Sequence, residues 1–222
     1  MVVNGDNYLG TGELSLDGRL TLAPGVSQTI GMLSGTGRAN LDIGANEVLT
    51  IVGGAGDRSY YGNINGPSTA DIIKTGGNVQ SIRKDNDSFD GDVRIFGGTW
   101  ELIDGSARMR DATWYIETGG TLELDNQPGA DNQNNGDRVG NAKAINMHRG
   151  TLIARGSNNT RSDENAGNVN FNGGFNTITL DADETPNSAN VVTNGDIRFI
   201  ADNLNRNNRA TGLLRGDRLG ED

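Results

Sequence analysis

Three segments of the chain share one pattern, a glycine and a threonine followed by a bulky residue, any residue and an apolar one. They are Gly97-Gly98-Thr99-Trp100-Glu101-Leu102-Ile103, Gly119-Gly120-Thr121-Leu122-Glu123-Leu124-Asp125 and Arg149-Gly150-Thr151-Leu152-Ile153-Ala154-Arg155. Their threonines, at 99, 121 and 151, lie 22 and then 30 residues apart. A unit recurring at such a period marks an array in which each unit stacks on its neighbours. The uneven spacing excludes a strict tandem repeat but suits a solenoid, where added residues bulge from a turn while the strand keeps its place in the ladder. Looser relatives, Gly18-Arg19-Leu20-Thr21-Leu22 and Gly195-Asp196-Ile197-Arg198-Phe199-Ile200, carry the unit toward both ends.

Short period-two runs lie between the repeats: 39–43, 48–52, 71–74, 78–84, 92–96, 112–117, 144–148 and 176–180. In each, alternate residues are apolar, as in Val93 and Ile95 or Leu122 and Leu124. One face of every such strand therefore points inward and the other faces solvent. Two polar stretches interrupt the pattern, 126–141 and 156–167, and both read as loops projecting from the array.

Composition narrows the choice among sandwich, barrel and β-helix. The chain of 222 residues holds 34 Gly and 28 Asn, which works against long helices and supplies the residues that tolerate left-handed backbone in turns. Hydrophobic residues make up only 33% and aromatics 5%, so the core must be thin. A coil of two or three short strands per 20 to 30 residues meets both conditions, and the β-helix is favoured.

Charge and cysteine content exclude several functions. The net charge is −10, and the 16 Arg and 3 Lys form no basic block, which excludes a nucleic-acid partner. Asp outnumbers Glu 21 to 8, again a turn-forming bias. With no cysteine there is no disulfide scaffold, thiolate metal site or cysteine nucleophile. No apolar run approaches the roughly 18 residues of a membrane span, and Met1-Val2-Val3-Asn4-Gly5 lacks the charged and apolar regions of a signal peptide.

From Ile30 to Ile103 the chain resembles the autotransporter-associated β-strand repeat family. The resemblance is carried by Ile30-Gly31-Met32-Leu33-Ser34-Gly35-Thr36-Gly37, Asn46-Glu47-Val48-Leu49-Thr50-Ile51 and Tyr61-Gly62-Asn63-Ile64-Asn65-Gly66. The core signature follows in Ile72-Ile73-Lys74-Thr75-Gly76-Gly77, the polar turn Asn86-Asp87-Ser88-Phe89-Asp90-Gly91-Asp92 and the return Gly97-Gly98-Thr99-Trp100-Glu101-Leu102. Departures fall at Asp92, where the family has a second Gly, and at Trp100, where it has Leu. The stretch 204–220 is similar to a segment that recurs in long surface proteins bearing these repeats, which implies further chain beyond Asp222.

The resemblance implies an all-β fold, a right-handed parallel β-helix (β-solenoid), with residues 1–222 forming a single segment of a longer protein secreted or displayed on a bacterial surface. Signal and anchor are then expected outside this chain. At 20 to 30 residues per coil the helix would hold roughly eight to ten coils. The implied function is a structural or adhesive stalk without catalysis, cofactor or metal. Its candidate partners are surface glycans, a biofilm matrix or sister molecules associating end to end.

Several residues invite sharper chemistry. His148 is the only histidine, so a zinc site would need carboxylate or solvent ligands beside it, and no Gly-x-Ser-x-Gly elbow supports a Ser-His-Asp triad. Asp85, Asp87, Asp90 and Asp92 alternate like a calcium loop, but Phe89 falls where an oxygen ligand belongs and Gly91 comes one residue late. Asp92 and Arg94 match by residue type the Asp and Arg that polysaccharide-acting β-helix enzymes expose on one sheet. Such an enzyme, a lyase or glycoside hydrolase, is the alternative function, and it requires paired carboxylates on neighbouring coils. Trp100, Trp114 and Tyr115 read either as a sugar-stacking platform or, from their apolar alternation, as core or a covered edge. Arg215-Gly216-Asp217 spells an integrin-type tripeptide in a segment that also reads as a strand, and Asn86-Asp87-Ser88 and Asn158-Asn159-Thr160 are glycosylation sequons.

Overall fold

A computed structural model describes residues 1–126, 136–157, 161–182 and 197–216. Among these the fold is all-β, without a helix, and its strands build three parallel sheets of four, eight and nine strands with no closed barrel. Successive strands alternate between the two long sheets. Asp71–Lys74, Asp92–Ile95 and Thr113–Ile116 stand side by side in the eight-stranded sheet, while the strands that follow each of them, Val79–Ile82, Gly98–Ile103 and Gly120–Asp125, stand side by side in the nine-stranded sheet. Asp71 pairs with Asp92 and Asp92 with Thr113, so each turn of the chain here takes 21 residues. This is the path of a solenoid.

The third side changes along the molecule. Val2–Val3, Arg19–Leu22, Asn40–Ile43 and Asn63–Asn65 form the four-stranded sheet near the N-terminus. Beyond it, among the described residues, isolated bridges such as Gly66 with Phe89 and Asp85 with Arg108 mark that side. Parallel ladders need crossover connections, and here the strands of the other sheets serve as those crossovers.

The glycine-threonine repeat is a lateral ladder. Thr99 pairs with Thr121, Thr121 with Thr151 and Thr151 with Thr177, although 22, 30 and 26 residues separate them in sequence. The two looser relatives are not rungs of it. Arg19–Leu22 belongs to the four-stranded sheet; of the other relative, Gly195 and Asp196 lie outside the described residues and Ile197 to Ile200 fall in Ile197–Arg206 of the eight-stranded one. Period-two alternation reports an inward face without reporting which sheet the strand joins.

Inside, the alternating residues pile into one continuous core. Val93, Ile95, Leu122, Leu124, Leu152 and Ile178 are buried, as are the rings of Trp100 and Trp114. The turns between strands need glycine where backbones approach. Gly98 takes φ +65°, and a Cβ there would stand 2.2 Å from the carbonyl oxygen of Gly76 in the preceding coil. Lys74 closes the same corner from within. Its buried ammonium donates to the carbonyl of Gly76, to Asn78 Oδ1 at 3.2 Å and to the carbonyl of Gly97 at 3.4 Å.

One expected loop is corrected. The polar stretch 156–167 reads as a projection, yet from Ser162 it is part of a twelve-residue strand, Ser162–Gly173. Ser162, Glu164 and Ala166 point inward, so the alternation exists but is written in small and polar residues. Of the other expected loop, 126–141, residues 127–135 lie outside the described residues. Asn158-Asn159-Thr160 and Asp217 lie outside them as well.

Candidate functional site

Outward side chains on the two long sheets fall into rows, because in-register parallel pairing places equivalent residues side by side. On the nine-stranded sheet one row runs Ser81, Glu101, Glu123 and Ile153, and the next runs Ile103, Asp125, Arg155 and Asp181. The carboxylate oxygens of Glu101, Glu123 and Asp125 lie within 4.8 Å of one another. Neighbouring coils thus bring together paired carboxylates and an arginine, the convergence that a glycan-cleaving site requires, at positions other than Asp92 and Arg94.

The surroundings of these acids bear on what they can do. Ser81 donates its hydroxyl proton to Glu101, Arg155 Nε donates to Glu123, and Arg155 Nη1 reaches Asp181. Desolvation pushes the Glu101 carboxyl above the usual range, the Ser81 hydrogen bond pulls it down, and the charges of Glu123 and Asp125 push it up again. Oxygen ligands of this kind suit a hard cation. The guanidinium of Arg155, held against the cluster, already supplies positive charge there.

The eight-stranded sheet carries a different surface. Arg94, Tyr115, Asn146, Asn170 and Asn205 form one outward row. Arg94 is ion-paired with Asp92, and its guanidinium lies 4.0 Å from the centroid of the Tyr115 ring, a cation–π contact. From Tyr115 an open groove of about 340 Å³ runs over the following coils, lined by Glu117, Asn146, His148, Asn172 and Asn208. The amides are tied together: Asn170 Nδ2 donates to Asn146 Oδ1 at 2.9 Å, Asn207 Nδ2 to Asn172 Oδ1 at 3.0 Å and Asn208 Nδ2 to the Asn172 carbonyl at 3.0 Å.

His148 stands at the end of Ile145–His148 with its side chain half exposed, and Nδ1 lies 3.3 Å from Glu117 Oε2. The strand pairing slips between Met147 and His148, so that His148 faces Gly173. Among the three aromatic candidates, Trp100 and Trp114 are core and Tyr115 alone faces out. A period-two reading places Trp114 and Tyr115 on opposite faces, which the apolar character of the run conceals.

The four aspartates of the calcium-like loop are separated by their partners. Asp85 pairs with Arg108 at 3.1 Å, Asp87 accepts from Arg110 Nε at 2.7 Å, Asp90 pairs with Lys143 and Asp92 with Arg94. Asn86 is buried, with Nδ2 donating to the Lys84 carbonyl at 2.8 Å and Oδ1 accepting from the Ile64 amide. Arg215 and Gly216 lie in the strand Thr211–Gly216.

No helix among the described residues is long and apolar enough to cross a membrane. No family model, curated protein or solved structure matches the chain.

Proposed function

We propose that the chain is a structural and adhesive stalk segment: a right-handed parallel β-helix of the autotransporter-associated β-strand repeat kind, displayed outside a bacterial cell and without catalytic activity. The observation that carries this reading is the threonine ladder. A motif repeated at irregular intervals in the sequence is brought into unbroken lateral register from Thr99 to Thr177. That arrangement favours a stiff rod to which inserts add loops without disturbing the axis. Nine strands at ~4.8 Å spacing make the longest sheet about 38 Å long.

The glycan-cleaving enzyme is the second reading, supported by Glu101, Glu123 and Asp125. Against it stands the engagement of Glu101 by Ser81 and of Glu123 by Arg155, which occupies one oxygen of each carboxylate and ties it within the sheet. One experiment separates the two. The protein is incubated with neutral and uronate-containing polysaccharides and assayed for new reducing ends and new double bonds, while solution scattering measures its shape. A stalk yields an elongated particle and no turnover. Turnover that disappears in Glu101→Gln and Glu123→Gln would replace the stalk with the enzyme.

A further inference from the structure

The groove on the eight-stranded sheet has features that a merely solvated face does not require. Its first wall is a tyrosine ring steadied from the preceding coil by the Arg94 guanidinium, which is itself paired with Asp92. Its floor carries the amides of Asn146, Asn172 and Asn208, held by each other, by the neighbouring amides of Asn170 and Asn207 and by backbone carbonyls, so little side-chain freedom remains to be lost when a ligand arrives. After these bonds Asn146, whose Oδ1 accepts from Asn170 and Asn172 and whose Nδ2 donates to the Trp114 carbonyl, keeps one N–H, while Asn172 and Asn208 each keep an N–H and acceptor capacity for a ligand.

The backbone is also adjusted at this place. Across the slip between Met147 and His148 the partner strand Ser162–Gly173 carries one extra residue, Asn172, a local register change of the kind that re-aims a side chain. Gly173 makes room for the result, since a Cβ there would stand 2.6 Å from His148 Cδ2. Arg149, next in sequence, takes φ +59° at the place Gly119 holds one coil earlier, and Asn208 and Arg209 take φ +48° and +56° at the groove's far end. The same backbone region is taken by Asn7, Asn46, Asp104 and Asp137 at other turns, so these angles shape the groove's end without marking it.

Chemistry selects the ligand class. A nucleic acid is excluded by Glu117 within the groove and by the net charge of −10. A ring beside a row of amides and one carboxylate offers stacking for an apolar sugar face and paired donors and acceptors for vicinal hydroxyls. From the strand of Tyr115 to that preceding Asn208 the groove crosses three strand spacings, about 14 Å, the reach of a short oligosaccharide lying along the axis. We infer that this groove binds a neutral oligosaccharide, with Tyr115 as the stacking platform and Asn146, Asn172 and Asn208 as hydroxyl partners.

This deepens the adhesive half of the stalk reading and rests on it, while the rod shape is tested independently by scattering. The test titrates the full chain with chitotetraose, cellotetraose, xylotetraose and mannotetraose, followed by amide NMR shifts and calorimetry. At least one of them is expected to bind without being cleaved, shifting resonances of Asn146, Asn172 and Asn208. Tyr115→Ala weakens that binding at least tenfold, and Asn172→Ser weakens it with the ring intact. Tyr61→Ala, which removes an exposed ring away from the groove, leaves it unchanged. Failure of all four sugars to bind, or affinity that survives Tyr115→Ala, overturns the inference and leaves the rod dimensions untouched. Cleavage of a bound sugar would instead bring down the non-catalytic reading.

Discussion

Replacing Glu164 by glutamine should change how the stability of this protein depends on pH. Glu164 points into the solenoid from Ser162–Gly173 and has no exposed surface. Its Oε1 accepts from the backbone N–H of Arg138 at 2.6 Å and of Val139 at 3.1 Å, and its Oε2 from that of Asp137 at 3.3 Å. Arg138 is equally buried, its guanidinium donating to the carbonyls of Ala107 and Asp125 and to Asn126 Oδ1. Desolvation outweighs these favourable neighbours and pushes the carboxyl from 4.5 up to about 7.

A folded state that holds its proton more tightly than the unfolded chain is stabilised in acid. The contribution is fully present below about pH 4.5, falls as pH rises and is gone above about 7. At 1.36 kcal/mol per pH unit the whole span is worth about 3 kcal/mol. Other groups pull the opposite way, among them Asp87 and Asp163 beside their arginines, whose carboxyls are lowered. They are common to both proteins and cancel in the difference. Urea unfolding from pH 4.5 to 8 should therefore find Glu164→Gln gaining about 3 kcal/mol relative to the parent. Arg138, drawn down by desolvation to about 10, stays charged across this window. The introduced amide, facing the same backbone N–H groups, adds only a constant offset. Parallel pH profiles for the two proteins would refute the burial argument.

Trp100→Ala removes a ring buried between coils and should cost about 3–5 kcal/mol, read from thermal or urea melts. Gly98→Ala forces a Cβ against the Gly76 carbonyl at positive φ and should cost more than about 1 kcal/mol. At Gly77 an added Cβ meets nothing within 4 Å, so the same substitution there should stay within about 0.5 kcal/mol in the same assay. Burial pulls Lys74 down to about 8, so its contribution is present above about 10.5 and is lost as pH falls through 8. The parent should accordingly gain on Lys74→Met between pH 7 and 10.5 in urea titrations.

What the sequence discloses about this molecule depends on whether an interaction is local along the chain. Inward faces were legible because alternation is local: Val93 and Ile95, or Leu122 and Leu124, declare their side within four residues, and all four are buried. Where the inward residues are Ser162, Glu164 and Ala166, the same alternation carries no hydrophobic signal, and a buried strand passes for a loop. Lateral neighbours are a different matter, because they depend on the length of every insert between coils. Glu101 meets Glu123 after 22 residues, but Glu123 meets Ile153 only after 30, and the groove joins Tyr115 to Asn146 across 31. A one-residue change of register would turn each row to the other face of its sheet. The acid cluster and the amide groove are therefore properties of the stacking: the first depends on the pairing of Gly98–Ile103 with Gly120–Asp125, the second on that of Thr113–Ile116, Ile145–His148 and Ser162–Gly173.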